Sequence, residues 1–319
     1  MMGKNKLVRA FKTNGKYVWD IYNPAWPSKA FNSFFINHLH ELEYISDEHM
    51  SLRRLLIAIT KRCPLKCEHC SEGATLYNQD VLSYDDIISR IDPFIKKNVG
   101  QLVYSGGEPL SRFEDLVKLI TRYNNKCDQW IYTSAYGLTI EKAKLLKKAG
   151  LNGAAISLDH HIEEEHNQFR GNQKSYYWVL EGIKNLQEVG IFVAINICPT
   201  KEYIDSNSVE IFISLAQELD VPIVNILEPR GVGNYQDKDV ELEIKHKESL
   251  ERISKKYNFN PAFFDSPTVI YPAAYRKMMP CGGGKSYLFL DYDGNLYPCP
   301  FCKAKMTLPT SDTELCEAE

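Results

Sequence analysis

Three cysteines near the front of the chain are its most chemically informative group, in the stretch Cys63-Pro-Leu-Lys-Cys67-Glu-His-Cys70. Thiolate is a favoured ligand of iron–sulfur clusters and of zinc. A structural zinc site usually takes four protein ligands, and His69 lies between two of the cysteines, where its ring would struggle to complete the same tetrahedron. Three thiolates on one loop therefore favour a four-iron cluster with one open iron that can bind a substrate or cofactor. Zinc is the alternative.

A second motif, Ser105-Gly106-Gly107-Glu108-Pro109, follows the next strand-like segment of the chain. A Gly–Gly turn lets the backbone approach a ligand closely, and the Glu108 carboxylate could hold an ammonium group. Taken alone, the motif is better explained as an ordinary strand-to-helix turn with a solvated glutamate. Its position one strand after the cysteines changes that balance and favours a shared ligand site.

Four more cysteines lie near the end of the chain: Cys281, Cys299, Cys302 and Cys316. Residues 287–290 are typical of a strand, and Asp293-Gly294 is a strong signal for a hairpin turn. A hairpin would bring Cys281 and Cys299 together, with Cys302 close by and Cys316 as a candidate fourth ligand. A zinc knuckle is a serious alternative here, because C-x₂-C beside a hairpin suits tetrahedral zinc.

The elements that must position these motifs alternate along the chain. Six short apolar runs predict strands buried on both faces, at residues 54–60, 101–104, 130–133, 153–158, 192–197 and 222–227. Amphipathic stretches between them predict helices, the first capped by Ser83 and the others at residues 113–123, 140–148, 175–188 and 208–218. Six such units predict an α/β fold, a partial (β/α)₆ TIM-like barrel with a small C-terminal β-hairpin and Cys-rich extension. In that barrel both motifs lie at the carboxyl ends of the strands.

Three regions follow from this pattern. Residues 1–50 form an aromatic-rich flank with a helix expected around residues 29–43. That helix is more commonly packed on the barrel than bound to a membrane, and the flank is expected to line or lid the barrel mouth. Residues 51–235 form the barrel. Residues 236–319 begin with a charged helix at 240–256 and end in the Cys-rich segment.

Composition restricts the class of protein. The 38 basic and 41 acidic residues give a net charge of −3, so no overall field attracts nucleic acid. No apolar run approaches the roughly 20 residues of a transmembrane segment, and the start lacks a secretory signal. The nine cysteines are an odd number, and a chain of this size does not need disulfides. These features predict a cytoplasmic protein; Cys127, in a polar loop, is expected to be incidental.

The pair Cys63-x₃-Cys67-x₂-Cys70 and Gly106-Gly107-Glu108-Pro109 resembles the radical S-adenosylmethionine (radical SAM) superfamily over about residues 53–230. The resemblance implies an enzyme with a [4Fe–4S] cluster, whose open iron binds the amino and carboxylate groups of S-adenosylmethionine. One electron, from a donor such as flavodoxin or ferredoxin, would then yield a 5′-deoxyadenosyl radical that abstracts hydrogen from a substrate.

By the same resemblance the turn Gly106, Gly107, Glu108 and Pro109 binds the cofactor, with Glu108 at the methionine amino group. The stretch Ile156-Ser157-Leu158-Asp159, with His166 and Arg170-Gly171 after it, is similar to one in the subgroup that modifies peptides. It implies Ser157 at the ribose and Arg170 at the methionine carboxylate. His160 and Asn167 replace the usual Gly and Asp, and a salt-bridged arginine at a helix end is the alternative for Arg170.

On the fifth predicted strand, Asn196 and Cys198 share one face, because side chains alternate along a strand. The resemblance implies that Asn196 faces the cofactor, so Cys198 would point the same way. A thiol there could return a hydrogen atom to a substrate radical. The more common role is that of a small buried hydrophobic residue.

The C-terminal pattern of Cys281, Gly294 and Cys299 resembles the auxiliary-cluster extension called SPASM, or its shorter twitch form. Because only Cys302 and Cys316 follow, it implies one auxiliary [4Fe–4S] cluster, with zinc as the alternative. Relatives with this tail mostly modify ribosomal peptides or proteins, which makes a peptide side chain or Cα the expected substrate. A small-molecule precursor is the alternative and a non-catalytic zinc scaffold a remote one. The 50 residues before the first barrel strand are too short for a leader-binding domain. This weakens the peptide interpretation without removing it, because a separate leader-binding protein can take that role.

Overall fold

Most strands of the chain belong to one nine-stranded sheet in the computed structural model, which describes residues 9–33, 35, 52–73, 79–276 and 281–302. β1 and β2 form a separate antiparallel hairpin. Across the sheet the order is β11-β10-β3-β4-β5-β6-β7-β8-β9. The strands are β1 (Phe11–Thr13), β2 (Lys16–Val18), β3 (Arg54–Ala58), β4 (Gln101–Ser105), β5 (Asp128–Thr133), β6 (Gly153–Ser157), β7 (Phe192–Ile197), β8 (Ile223–Ile226), β9 (Thr268–Ile270), β10 (Tyr287–Leu290) and β11 (Leu296–Tyr297).

Six parallel strands, β3 to β8, lie side by side in the order of the chain. This confirms the predicted α/β fold. β9 and β10 extend the sheet in parallel at its two sides, and β9 was not predicted because three residues are too short for a periodic signal. Within the described residues the edge strands β9 and β11 do not pair with each other, so the sheet stays open, as a partial barrel does.

Helices cover the connections between the strands. Ser83 caps the first helix as predicted, since its Oγ accepts from the N–H of Asp86 and the Asp86 carboxylate accepts from the N–H of Ser83. None of the described helices is long and apolar enough to cross a membrane. The helices are α1 (Tyr84–Lys96), α2 (Phe113–Tyr123), α3 (Ile140–Ala149), α4 (Glu163–Arg170), α5 (Ser175–Glu188), α6 (Lys201–Asp205), α7 (Ser208–Glu218) and α8 (Ile244–Phe259).

The apolar core has two layers, one on each face of the sheet. Outward-facing residues such as Leu55 and Ile57 of β3 pack with α1 and the other helices. Inward-facing residues such as Leu56 and Ala58 pack with Val103 and other strand residues inside the barrel. Because side chains alternate between the two layers, the strands are apolar throughout, which is the pattern that predicted them.

The described part of the N-terminal flank packs inside the barrel from the amino ends of the strands. Val18 and Ile21 belong to the inner layer, and the Asn14 side chain donates to the carbonyl of Gly190, just before β7, at 2.6 Å. The expectation that the flank lines or lids the mouth is therefore wrong for these residues, because their apolar partners lie at the opposite end of the barrel. Residues 29–33 are helical as predicted, and the rest of that predicted helix after residue 35 lies outside the described residues.

Candidate active site

The three cysteines of the first motif lie on one loop directly after β3, at the carboxyl ends of the strands. All three thiols are free; Cys67 is buried, and Cys63 and Cys70 are partly buried. The predicted site therefore lies where loops of parallel α/β folds carry function.

Backbone hydrogen bonds hold this loop from two sides. The N–H groups of Lys66 and Glu68 donate to the carbonyls of Arg170 and Phe169 at the end of α4, each at 3.0 Å. On the other side the Asn234 amide donates to the carbonyl of Cys67 at 2.8 Å. The loop between the outer cysteines is thus fixed by residues far away in the sequence.

The donor atoms fit an iron–sulfur cluster. Burial raises the pKa of Cys63 to about 12 and the pKa values of Cys67 and Cys70 above their usual range, so the free thiols carry protons that bound iron would replace. Three free thiols on one short loop are the ligand set that such a cluster takes. The three thiols are not gathered closely enough to hold a single metal ion, and the same holds for every other group of three His, Cys, Asp or Glu side chains in the described part of the chain.

His69 stacks on Phe169, with ring centroids 4.8 Å apart and planes 12° apart. Burial lowers the pKa of His69 to about 4, and its Nδ1 is buried without a hydrogen-bond partner among the described residues. The ring is therefore neutral at physiological pH and packs against α4.

The Gly–Gly turn contacts the cysteine loop directly. The N–H of Gly107 donates to the Thr60 carbonyl and that of Glu108 to the Arg62 carbonyl, each at 2.8 Å. A Cβ on Gly106, which has φ +129°, would lie 2.5 Å from the Thr60 oxygen, and one on Gly107 would lie 2.4 Å from the Arg62 oxygen. Only glycine leaves room for this contact, so the first two motifs form one structural unit.

Replacing Gly107 with alanine is expected to force the turn away from the cysteine loop, because the added methyl group meets backbone atoms that cannot rotate aside. The expected cost is about 2 kcal/mol of unfolding free energy, together with incomplete iron loading. Urea unfolding and iron per chain measure the two effects. Gly231→Ala is the matched control, since its Cβ would meet its nearest atom at 3.8 Å. Equal behaviour of the two variants would contradict the packing argument.

Glu108 is only 2% exposed and holds the turn against the end of β5. Its Oε1 accepts from the Leu110 N–H at 3.0 Å and the Thr133 hydroxyl at 2.6 Å. Its Oε2 accepts from the N–H and hydroxyl of Ser134, at 2.7 and 2.6 Å. Sequence reasoning missed Thr133 and Ser134, which carry no motif signal. Contact between Glu108 and a cofactor amino group stays a prediction.

Arg170 lies beside the cluster loop, paired with Asp159. Its Nε donates to the Asp159 carboxylate at 2.5 Å, Nη2 also pairs with that carboxylate, and Nη1 donates to the Cys67 sulfur at 3.6 Å. This is the ion pair of the alternative interpretation, with an added contact to an expected cluster ligand. Asp159 was part of the quoted motif, but no role had been predicted for it.

Ser157 and Asn196 are register partners at the ends of β6 and β7. The Asn196 Oδ1 accepts from the Asn225 amide at 2.8 Å, and the Asn225 Oδ1 accepts from the Tyr22 hydroxyl at 2.8 Å. The predicted face of β7 therefore points into the barrel, where its polar end is held from below by the N-terminal flank.

Cys198 is 7% exposed, and its N–H donates to Asp159 Oδ1 at 3.0 Å. Burial raises its pKa above the usual range, so it is a neutral thiol. It joins the same group of side chains as Asp159 and Arg170. Its role as a hydrogen donor stays a prediction.

The second cysteine group lies at the predicted β10–β11 hairpin. A Cβ on Gly283 would lie 3.5 Å from the Cys281 sulfur and 3.3 Å from the Pro298 carbonyl oxygen, so Cys281 approaches the chain just before Cys299. The N–H of Cys302 donates to the Cys299 sulfur at 3.2 Å. Cys316 lies outside the described residues. Three of the four predicted ligands thus belong to one small region.

The hairpin contacts both flanks of the first cysteine loop. The Lys61 ammonium pairs with Asp293 at 2.8 Å, and the Tyr292 hydroxyl donates to Glu72 at 3.0 Å. Lys61 precedes Cys63 and Glu72 follows Cys70, so the C-terminal region is fastened beside the first site.

Comparison with known families decides the class of this site. Residues 57–210 match the model of the Radical SAM superfamily. This chain carries a radical SAM domain. It is therefore an enzyme, and the family implies S-adenosylmethionine and a [4Fe–4S] cluster as its cofactors.

The named proteins that this chain resembles differ in the molecules they are named for or bind. The GTP 3',8-cyclase of Aliarcobacter butzleri is 29% identical over 232 residues, which are 70% of this chain and 68% of that relative. SuiB of Streptococcus suis bound to S-adenosylmethionine superposes with a TM-score of 0.64 at 16% identity, over 85% of this chain and 66% of its own; SuiB has also been solved with its precursor peptide SuiA. The structure described as native anSMEcpe with bound AdoMet has a TM-score of 0.60 at 18% identity, over 82% of this chain and 78% of its own. The two structural likenesses establish the shared fold.

Proposed function

We propose that this radical SAM enzyme holds its [4Fe–4S] cluster on Cys63, Cys67 and Cys70. When bound, the cluster and S-adenosylmethionine supply a 5′-deoxyadenosyl radical that abstracts hydrogen from a substrate. The observation that carries the proposal is the unit of three free thiols fixed between the Gly106-Gly107 turn and the end of α4.

The residues around this unit would orient the cofactor. The turn of Gly106, Gly107, Glu108 and Pro109 presents backbone groups next to the cysteine loop. Ser157 and Asn196 lie beside each other at the ends of β6 and β7, and Arg170 lies at the cluster loop. Their placement at neighbouring strand ends supports a cofactor lying across the barrel mouth.

An auxiliary [4Fe–4S] cluster on Cys281, Cys299 and Cys302, with Cys316 as a candidate fourth ligand, is part of the same proposal. The hairpin that brings Cys281 towards Cys299 supports it. The hairpin contacts to Lys61 and Glu72 place this region beside the first cysteine loop. Zinc at these cysteines is the alternative, and a metal count separates the two.

For the substrate, we infer a small anionic molecule of the nucleotide class as the first candidate. Relatives named GTP 3',8-cyclase support this choice, since their alignments extend over as much as 78% of this chain. A peptide or protein side chain or Cα is the second candidate. The solved complex of SuiB with precursor peptide SuiA supports it, through a likeness that covers 83% of this chain at 16% identity. If the substrate is a peptide, a separate leader-binding protein would present it. The electron that cleaves S-adenosylmethionine would come from a flavodoxin or ferredoxin.

Deuterium transfer tests hydrogen abstraction and substrate class together. The protein is reconstituted without oxygen, reduced, and given S-adenosylmethionine with GTP deuterated at C3′. A 3′,8 bond requires loss of the C3′ hydrogen, so deuterium is expected in 5′-deoxyadenosine. Unlabelled 5′-deoxyadenosine without GTP consumption would favour the peptide, which is then tested with deuterated peptides encoded beside the gene. Absence of 5′-deoxyadenosine from fully loaded protein would contradict the proposed function itself.

A further inference from the structure

Arg54, the first residue of β3, is a buried cation inside the barrel. It is 4% exposed, and an arginine side chain keeps its charge in proteins. Its guanidinium lies over the rings of Tyr22 and Tyr132, with its Cζ 5.0 and 5.1 Å from their centroids. One of its terminal nitrogens donates to the Tyr132 hydroxyl. Neither tyrosine is a carboxylate, so these contacts leave the charge without a counter-ion.

Within the described residues no carboxylate lies within 4.0 Å of the Arg54 side chain, and its Nε is buried without a hydrogen-bond partner. Burial raises the pKa of Asp128, and the nearby Arg54 charge partly opposes that rise. The Asp128 carboxylate accepts instead from Trp130 Nε1 at 2.8 Å and from the Gln101 amide at 3.2 Å. Burying a charge without a close partner destabilises a protein. An anion supplied by a ligand would remove that destabilisation.

The position of Arg54 connects it to the reaction site. Tyr22, whose ring lies under the guanidinium, donates to Asn225, and Asn225 donates to Asn196 at the end of β7. Arg54 therefore forms the floor below the polar strand ends. Because the Tyr132 hydroxyl accepts a hydrogen bond from Arg54, it keeps its own proton to donate. Two donors, the Arg54 Nε–H and the Tyr132 O–H, thus have no acceptor among the described residues.

We propose that Arg54 and the Tyr132 hydroxyl bind an anionic group of the substrate, a phosphate or a carboxylate, at the floor of the barrel. The inference rests on the proposed function, which places the reacting C–H bond above this floor at the carboxyl ends of the strands. Substrate length and charge would then be selected together, because the anion must reach Arg54 while the carbon reaches the radical. A phosphate fits the nucleotide class and a carboxylate fits an acidic peptide residue.

Anion binding to the reconstituted holoprotein, without reductant or S-adenosylmethionine, tests this site. Inorganic phosphate and glutarate are titrated separately at constant ionic strength set with chloride, and the thermal midpoint is followed by circular dichroism. At least one anion is expected to raise the midpoint in a saturable way. Arg54→Gln is expected to bind that anion at least tenfold more weakly, since charge-assisted hydrogen bonds are the strong ones. Arg122→Gln, which removes an exposed arginine paired with Asp92, is the control and should bind the anion as tightly as the wild type.

Tyr132→Phe keeps the aromatic ring and removes one hydrogen-bond donor. It decides the test if Arg54→Gln does not fold, and it is expected to bind the anion about threefold more weakly than the wild type. A wild type that responds to neither anion, or variants that bind as tightly as the wild type, would overturn the inference. Response to phosphate alone would indicate a phosphate-bearing substrate, and response to glutarate alone an acidic peptide residue. Protein that cleaves S-adenosylmethionine but ignores both anions would refute this inference only. Protein that binds an anion through Arg54 without cleaving S-adenosylmethionine would refute the proposed function only.

Discussion

A variant with alanine at Cys63, Cys67 and Cys70 is expected to lose about four irons per chain and all measurable cleavage of S-adenosylmethionine. The reason is the geometry of one loop: three thiols are fixed by bonds to α4 and to Asn234, and no other described residues could take their place. The loss of 5′-deoxyadenosine is expected to exceed about a thousandfold, because the radical chemistry belongs to the cofactor and not to the protein. Iron, acid-labile sulfide and 5′-deoxyadenosine are measured on anaerobic protein.

Cys127→Ala is the matched control for this variant. Cys127 is also buried, at 7% exposure, but it lies before β5 at the opposite end of the strands, so iron and activity should stay as in the wild type. About eight irons falling to about four would support two four-iron clusters, and about four falling to near zero would remove the auxiliary cluster. Bound zinc with near-zero iron in the wild type would contradict the cysteine assignment.

The six central strands, β3 to β8, could be predicted because they are buried on both faces. Runs of four to seven mostly apolar residues, such as β7, rarely occur outside a buried strand or helix. The helices α2, α5 and α7 were predicted with their exact bounds. α4 could not be found this way. Its first residues are Glu163, Glu164 and Glu165, so it lacks an apolar stripe and depends on tertiary contacts such as those to the cysteine loop.

The residues of the site also fall into those that the sequence could predict and those that it could not. Motif residues are local in sequence, which is why Cys63, Cys67, Cys70 and the Gly–Gly turn could be placed together in advance. The partners of Glu108 and the buried cation Arg54 could not, since Thr133 and Ser134 follow a strand without any motif, and Arg54 resembles an ordinary strand-end arginine. Only the packing of Tyr22 and Tyr132 around it shows that it points inward.

Arg170→Gln is expected to cost about 3 kcal/mol of unfolding free energy at pH 7, because it leaves the Asp159 carboxylate buried without its main counter-charge. The side chains of Arg170 and Asp159 are 9% and 3% exposed. Burial alone would raise the pKa of Asp159, but the Arg170 guanidinium outweighs it and holds that pKa below its usual range. In the wild type this pair therefore stabilises the fold above about pH 4 and loses its effect as the pH falls through the folded-state pKa.

The variant reverses that pH dependence. Without Arg170 the pKa of Asp159 is expected to rise above its unfolded value, so the loss of stability should grow from about pH 4 towards pH 7. Urea unfolding of the reconstituted variant and wild type between about pH 4 and pH 7 measures this loss of stability. Arg122→Gln is the control, because the side chains of Arg122 and its partner Asp92 are 41% and 35% exposed. A solvent-screened pair of this kind contributes little to stability, so this variant should unfold nearly as the wild type does. A loss for Arg170→Gln that is equally small, or independent of pH, would contradict the buried ion pair.

The double variant Arg170→Gln with Asp159→Asn separates a structural role of Arg170 from contact with the cofactor. Removing both charges leaves no unpaired carboxylate, so most of the stability should return, as replacing a whole buried pair costs little. Affinity for S-adenosylmethionine should stay at least tenfold weaker if the guanidinium also binds the methionine carboxylate, since that charge-assisted contact cannot be restored by an amide. Recovery of affinity together with stability would instead mean that Arg170 acts only by holding Asp159 and the Cys67 loop in place.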